Sequence, residues 1–385
     1  MEVARFDVLV IGAGIAGASV AACLAQTCRV ALLERESQPG YHSTGRSAAL
    51  FSETYGNAAV RALSRASRSF LFSPPEKFCE HPLTVPRGAL HVARPDQMDS
   101  LEKLLREPDL AAYARRVDAI EAERLCPLLR PGYAAAGVHE TDARDIDVHA
   151  LHQGYLRLMR SAGGILVTDA GLHAIERMRG IWRAQSPVGI FEAPIVINAA
   201  GAWADDIAAL AGASPLGIVP HRRTVVLVDV PSGGAFALMP LTIDADESFY
   251  FKPDAGRLLI SPADETPSPP CDAQPDEIDI AIAIDRVQRA TTLEISRIAS
   301  RWAGLRNFAP DRSPVIGFDP ETEGFFWLAG QGGYGMQTAP AIARLAAALI
   351  IDGEVPDDLV THGIMADAVS PRRLRRIAAE IESHH

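Results

Sequence analysis

The chain has 385 residues, of which 48% are hydrophobic and 22% charged, and its formal net charge is −11. That length exceeds what one hydrophobic core usually serves and predicts two domains, while the acidic balance excludes a nucleic-acid binder, which needs a basic excess to displace counterions. The cysteines Cys23, Cys28, Cys79, Cys126 and Cys271 are odd in number and none stands in a C-x-x-C pair, which excludes a disulfide framework and a thiolate metal site and fits a reducing cytoplasm.

Phe6-Asp7-Val8-Leu9-Val10-Ile11 is an apolar run of strand character. It passes directly into Gly12-Ala13-Gly14-Ile15-Ala16-Gly17 and a helix-forming stretch ending near Ala25, and a second strand at 30–33 closes on Glu34. In this pattern Gly12 turns the chain, Gly14 lets the backbone approach a pyrophosphate, and Gly17 lets the helix pack on the strands. The phosphates sit on free N–H groups at the positive end of the helix. Glu34, roughly 20 residues on, is placed to accept from a ribose hydroxyl pair. The motif defines a dinucleotide site and is equally compatible with NAD and FAD. The uncharged stretch 8–25 is about long enough to imitate a signal peptide or membrane span. The glycine spacing, the early acids Glu2 and Asp7, and the following strand argue against that, so no membrane association is expected.

A Gly/Ser/Arg-rich loop occupies 39–48, and helical periodicity runs over 57–72 before the Ser73-Pro74-Pro75 break. Strands are expected at 85–93, 225–230, 249–252 and 258–261, forming one antiparallel sheet from two separate parts of the chain. Between these parts, Asp147 caps a helix through Leu151, Tyr155 and Leu158, and Gly163-Gly164 stops it. Residues 165–168 read as a buried strand, 193–201 as a strand running into a small-residue turn, and 262–275 as a loop. Residues 325–330 form a strand feeding Gln331-Gly332-Gly333-Tyr334-Gly335, with a helix over 338–351. Arg372, Arg373, Arg375 and Arg376 read as a solvated helix face.

Three segments favour FAD over NAD. The 43–48 loop places small residues where a flat ring lies against backbone, and Asn198-Ala199-Ala200-Gly201-Ala202-Trp203 ends a strand with little side chain. The 330–335 junction brings in a second helix N-terminus, whose dipole stabilises negative charge at the N1–C2=O end of a reduced flavin.

The segments Ile11-Gly12-Ala13-Gly14-Ile15-Ala16-Gly17, Glu34-Arg35-Glu36, Ser43-Thr44-Gly45-Arg46-Ser47, 198–203 and 330–335 together resemble the FAD-dependent D-amino-acid oxidase superfamily, which includes glycine and sarcosine oxidases. A narrower resemblance, to bacterial D-arginine dehydrogenase, is carried by 39–49, Phe78-Cys79-Glu80-His81-Pro82, Leu151-His152-Gln153-Gly154-Tyr155-Leu156-Arg157, Asp246-Glu247-Ser248-Phe249-Tyr250 and Trp302-Ala303-Gly304-Leu305-Arg306. The likeness spans nearly the whole chain. It implies an α/β fold: a Rossmann-like FAD-binding domain (1–80, 145–222 and 305–385) and a substrate domain built on a mixed or antiparallel sheet (81–144 and 223–304), with the active site between them. It also implies oxidative deamination. Hydride leaves Cα for flavin N5, and the imine hydrolyses to a 2-oxo acid and ammonia. The FAD is expected to be non-covalent, because sarcosine-oxidase-like members attach it through a cysteine near the final glycine loop and none follows Cys271.

Carried over residue by residue, the resemblance assigns cofactor contacts to Gly12, Gly14, Ile15, Ala16, Gly17, Glu34, Arg35, Ser43, Thr44, Gly45, Arg46, Ser47 and Ala48. It adds Leu172, Ala200, Gly201, Trp203, Gly304, Gly330, Gly332, Gly333, Tyr334, Gly335, Met336 and Gln337. Arg223 and Arg306 are the candidate carboxylate clamps, since the planar guanidinium fork binds both oxygens. Tyr55 and Tyr250 match active-site tyrosines, and the Gly304 and Gly333 backbone completes the amine and carboxylate contacts. His42, His149 and His152 lack an acid cluster and read as structural.

The substrate pocket falls on Leu50, Ser52, Glu53, Ala89, Leu241 and Ile243. In D-arginine dehydrogenase an acid on the Arg87-Gly88-Ala89-Leu90 strand reads the basic substrate, and a histidine stands in the active-site loop. Ala89 and Leu50 hold those places here. A cationic tail without its countercharge loses about 2–5 kcal/mol in a desolvated site. The expected substrate is therefore a neutral or apolar D-amino acid, with a quinone, an electron carrier or O2 as acceptor. Glu53, if turned into the pocket, restores basic specificity. The rival readings are a glycine/sarcosine-type secondary-amine oxidase, a flavoprotein 2-hydroxy-acid dehydrogenase, and the flavin subunit of a hetero-oligomeric amine dehydrogenase.

Overall fold

Unbroken apolar, β-branched sequence makes Val8–Ile11 a strand buried on both faces, and in the computed structural model, which describes residues 3–230 and 236–375, it lies inside a six-stranded sheet. The order is Ile165–Val167, Val30–Leu33, Val8–Ile11, Ile195–Asn198, Phe325–Ala329, Val315–Phe318. All neighbours are parallel except the last pair. A parallel sheet needs cover on both faces. Val8, Val10, Val30 and Leu32 pack beneath the helices Ile15–Leu24, Val148–Ser161 and Gly335–Ile351. Leu9, Ile11, Ala31 and Leu33 pack against Ile175, Trp182, Ala184 and Phe191 of a small sheet made by Ala174–Met178, Ile181–Ser186, Gly189–Ala193 and Val3–Arg5.

Two expectations change here. The 165–167 strand is an edge strand rather than a buried one, with Ile165 40% exposed, because it has a neighbour on one side only. The strand expected from 193 is two strands, and Pro194 separates them because it cannot donate to a ladder. Asn57 and Asp147 cap the helices Ala58–Phe72 and Val148–Ser161 as their side-chain types require, accepting from Val60 N and Ala150 N at 3.1 and 2.8 Å.

The second large sheet has ten strands. Along its path run Gln331–Gly332, Ile298–Phe308, Val219–Val228, Arg257–Ser261, Tyr250–Asp254, Leu241–Asp244, Ala89–Ala93, Ala136–Glu140 and Ala114–Asp118. It is mixed rather than antiparallel, because Leu241–Asp244 runs parallel to Ala89–Ala93. The expected 85–93 strand breaks at Gly88, whose φ is +73°, and Thr84–Pro86 pairs elsewhere with Arg144–Ile146. Val219–Val228 and Ile298–Phe308 cross the chain positions 222/223 and 304/305 and pair with each other along their whole length inside this second sheet. The 262–275 loop holds a two-residue strand, Thr266–Pro267, paired to His221 and Arg222.

The helix after the last glycine turn is Gly335–Ile351, starting inside the turn rather than at 338. Near the C-terminus, Arg373 pairs with Asp311 at 2.6 Å, and Arg375 donates to Pro215 O at 2.9 Å and sits 3.3 Å from Asp319. These two arginines therefore tie the chain end to the body instead of forming a solvated face; Arg376 lies outside the described residues. Among the described residues no helix is long and apolar enough to cross a membrane.

Candidate active site

The glycine motif does its work through close approach. Gly12 sits at φ +98°, and a Cβ there would stand 2.5 Å from Ala199 O; a Cβ on Gly17 would stand 1.8 Å from Gly12 O. Gly12 thus turns the chain against the next strand, and Gly17 brings the helix down onto the turn. At Gly14 the nearest atom to an added Cβ is Thr44 Oγ1 at 3.2 Å, so its outer face is open. Thr44 Oγ1 accepts from Ile15 N–H at 3.0 Å, joining the 43–48 loop to the helix start. Glu34 is buried and already accepts from Ala13 N at 2.8 Å and Glu36 N at 3.0 Å. It shapes the loop as well as facing the cavity.

Two cavities adjoin along this turn, with volumes of about 1970 and 1320 Å³ counting their open mouths, and they share Ile15, Ser43, Thr44 and Gly332. The longer is lined by Gly12, Gly14, Ala16, Glu34, Arg35, Leu172, Ala200, Gly201 and Trp203. Arg35 lies over the Trp203 ring at 4.7 Å, and His42 packs on the same ring at 4.6 Å. Two buried atoms on its walls, Asn307 Oδ1 and His42 Nδ1, have no hydrogen-bond partner among the described residues. Open glycine faces, helix N–H groups and unpartnered polar atoms fit FAD; Gly12, Gly14 and Glu34 would hold its ADP half, and the residues of the second cavity would face its ring.

The second cavity is lined by Arg46, Ser47 and Ala48 and by Gly304, Gly333, Gly335, Met336 and Gln337. The 43–48 loop is clipped to the Ile298–Phe308 strand. Ser43 Oγ donates to Leu305 O at 2.6 Å, Arg46 donates to Ala303 O at 3.1 Å, and Trp302 Nε1 donates to Arg46 O at 3.0 Å. Of the residues assigned to the cofactor, Gly17, Gly45, Gly330 and Tyr334 do not reach either cavity. Gly45 closes a turn with Gly40 (2.7 Å), Gly330 lies at φ +71° beside Ala309, and the Tyr334 ring is buried against Tyr55 at 4.8 Å.

The two candidate arginines separate clearly. Both face the second cavity. Arg223 donates to Asp264 O at 2.7 Å and pairs with Glu265 at 3.1 Å, so much of its fork is committed to a structural ion pair. Arg306 bonds the Tyr55 hydroxyl at 2.9 Å and, among the described residues, has no carboxylate within salt-bridge distance. Burial works against its charge, yet the Tyr55, Tyr250 and Tyr334 phenols hold its pKa above the ordinary arginine value. A Cβ on Gly333 would lie 2.9 Å from the guanidinium, so only glycine leaves the fork clear on that side. Tyr250 lines the same cavity, its ring 6.0 Å from the Arg223 guanidinium.

Leu50, Ser52, Ala89, Leu241 and Ile243 all line this cavity. Glu53 does not. Its carboxylate is buried and pairs with Arg68 at 3.0 Å, which corrects its placement in the pocket. His91, Val225, Glu247 and Ala263 also line the cavity and were not anticipated. Strand alternation offered a signal for His91, two residues from Ala89, and for Val225, two residues from Arg223.

Behind Tyr55, Glu140 is a carboxylate only 1% exposed. Ser52 Oγ, Thr54 Oγ1 and Glu53 N donate to it at 2.7, 2.6 and 2.7 Å, fixing the segment that carries Tyr55. Burial raises its carboxyl above 4.5, although these bonds oppose the shift. A raised native value means that the folded state holds the proton longer, so this contribution to stability is lost as pH rises from about 4.5 through that value. Glu140→Gln should flatten that part of the pH profile. Denaturant midpoints for both proteins between about pH 4.5 and 7.5 check it, and parallel profiles would count against the assignment.

Fold and cavities together define an FAD-dependent oxidoreductase. The family model described as DAO, FAD dependent oxidoreductase, matches residues 7–349, and the chain belongs to that family. It is 28% identical over 211 residues to bovine "FAD-dependent oxidoreductase domain-containing protein 1", a match covering 51% of this chain and 43% of that one. The chain thus spans less than half the length of the first curated relatives that it matches. Glycine oxidase of Geobacillus kaustophilus is 25% identical over 378 residues, covering 94% of this chain and 97% of that one. Its crystal structure superposes with a TM-score of 0.80 at 23% identity, covering 94% and 99%. That of L-proline dehydrogenase from P. horikoshii gives a TM-score of 0.84 at 21% identity, covering 97% and 99%. At such identities the structural likeness shows the fold. The narrower resemblance to D-arginine dehydrogenase rests on the sequence motifs alone.

Proposed function

We propose that this chain oxidises the Cα–N bond of neutral D-amino acids to the imine, which water hydrolyses to a 2-oxo acid and ammonia. The observation that carries the reading is Arg306, a guanidinium facing the cavity without a carboxylate of its own. A substrate carboxylate completes it, and Tyr55 and the bare Gly333 backbone set the fork's position. Bound FAD supplies the acceptor for the hydride leaving Cα. The amine proton passes to water, so the chain's own task is to orient Cα–H and exclude solvent.

The side-chain region supports a neutral substrate. Ala89, Leu241, Ile243 and Val225 form its walls, Glu53 is turned to Arg68, and the one acid among the described lining residues, Glu247, is solvent-exposed. The names of the relatives, glycine oxidase and L-proline dehydrogenase, support a substrate with an amino acid's carboxylate and amine. The likeness to glycine oxidase favours, as a second reading, a small amine such as glycine or N-methylglycine; the apolar space beyond Arg306 argues for a larger side chain. A quinone, an electron carrier or O2 then reoxidises the flavin. Initial rates across D-methionine, D-leucine, D-phenylalanine, D-arginine, D-lysine, glycine and N-methylglycine test the assignment. The neutral bulky substrates should lead, and preference for the basic pair or for glycine would overturn it.

A further inference from the structure

His91 is a titratable residue of the second cavity that neither the family motifs nor the chemistry above uses. It stands on Ala89–Ala93, whose alternation turns Ala89 and His91 to one face, and both line the cavity. In the parallel ladder Ala89 is opposite Leu241 and His91 opposite Ile243, so the imidazole is set into an aliphatic wall. Four strands of the sheet separate this one from the strand bearing Arg306, so the sheet curves around the cavity and puts the two residues on opposite sides. Among the described residues no side chain hydrogen-bonds the ring, and its desolvation holds its pKa down to about 4. At neutral pH it therefore presents one N–H donor and one bare nitrogen acceptor to the cavity.

A polar ring in an apolar wall with no protein partner is costly unless the ligand, or water in its absence, completes it. We propose that His91 determines substrate specificity by hydrogen-bonding an uncharged polar group at the tip of the substrate side chain, so that the site prefers side chains ending in a hydroxyl or amide over hydrocarbon ones of the same size. The inference rests on the carboxylate-clamp reading of Arg306. With the carboxylate held there, the side chain crosses the cavity toward His91, where a phenol O–H donates to the bare nitrogen or accepts from the N–H.

The test compares two carboxylates differing by one hydroxyl, 3-phenylpropanoate and 3-(4-hydroxyphenyl)propanoate, binding to the FAD-loaded protein by calorimetry. Neither needs turnover or a particular stereochemistry. The hydroxylated ligand should bind about tenfold tighter to the wild type, the effect of one net hydrogen bond to a desolvated partner. In His91→Leu the two affinities should become equal, and in His91→Gln part of the preference should return. Equal affinities in the wild type, or a preference surviving His91→Leu in protein with an unchanged flavin spectrum, would overturn the proposal. If neither carboxylate binds, the Arg306 reading fails and this inference with it.

Discussion

Arg306→Met is expected to lower kcat/KM for the best substrate by about 10²- to 10³-fold, roughly 3–4 kcal/mol, with the flavin content of the purified protein unchanged. The size follows from leaving a substrate carboxylate desolvated without its charged partner. Arg306 has no carboxylate of its own among the described residues, so its removal strands no charge in the free protein; only the Tyr55 hydroxyl loses a donor, and the main loss falls on substrate. Arg223→Met should differ. Its fork is paired with Glu265, which Arg312 also holds at 2.9 Å, so the change should appear mainly as lost stability. Steady-state kinetics on both variants decide between them, and a larger kinetic loss from Arg223→Met would reverse the assignment.

Gly17→Ala should be the more damaging change to the protein itself. Its Cβ would lie 1.8 Å from the Gly12 carbonyl oxygen, a backbone atom that no rotamer change can move. The helix must lift from the turn, costing more than about 3 kcal/mol and opening the phosphate end of the cavity. Gly14→Ala is the matched control, since its Cβ meets only Thr44 Oγ1 at 3.2 Å. That variant should fold with a near-normal melting temperature yet hold FAD weakly, because the methyl occupies the pyrophosphate's approach. Circular dichroism melts and bound-flavin absorbance separate the two effects. A Gly17→Ala protein with full flavin and an unshifted melt would contradict the packing described.

The parts readable in the sequence were those whose signals are local. Val8–Ile11 with its glycine turn, the cap Asp147, and the strand feeding the 330–335 turn all state their conformation within a few residues. The meander 174–193 does not. Its strands carry Glu176, Arg183 and Gln185 on the open face, and the few inward residues make sense only under the parallel sheet they cover. The helix Glu277–Ala290, capped by Asp276, was missed because Ile278 is exposed and blurs the apolar stripe. Arg223 and Arg306 looked equivalent because Arg223 meets Glu265 across 42 residues, a pairing that only the fold makes. For the same reason Glu53 gave no sign of turning to Arg68, nor Glu140 of gathering Ser52 and Thr54.

The central claim is that Arg306 orients an amino acid so that one face of Cα meets the flavin. Anaerobic mixing of the FAD-loaded protein with each enantiomer of methionine, leucine and phenylalanine, followed by the bleaching of the flavin absorbance, tests it most directly. The D-enantiomers should reduce the flavin fully and the L-enantiomers should leave it oxidised. Faster bleaching by the L-enantiomers, or no bleaching by any of the six, would contradict it.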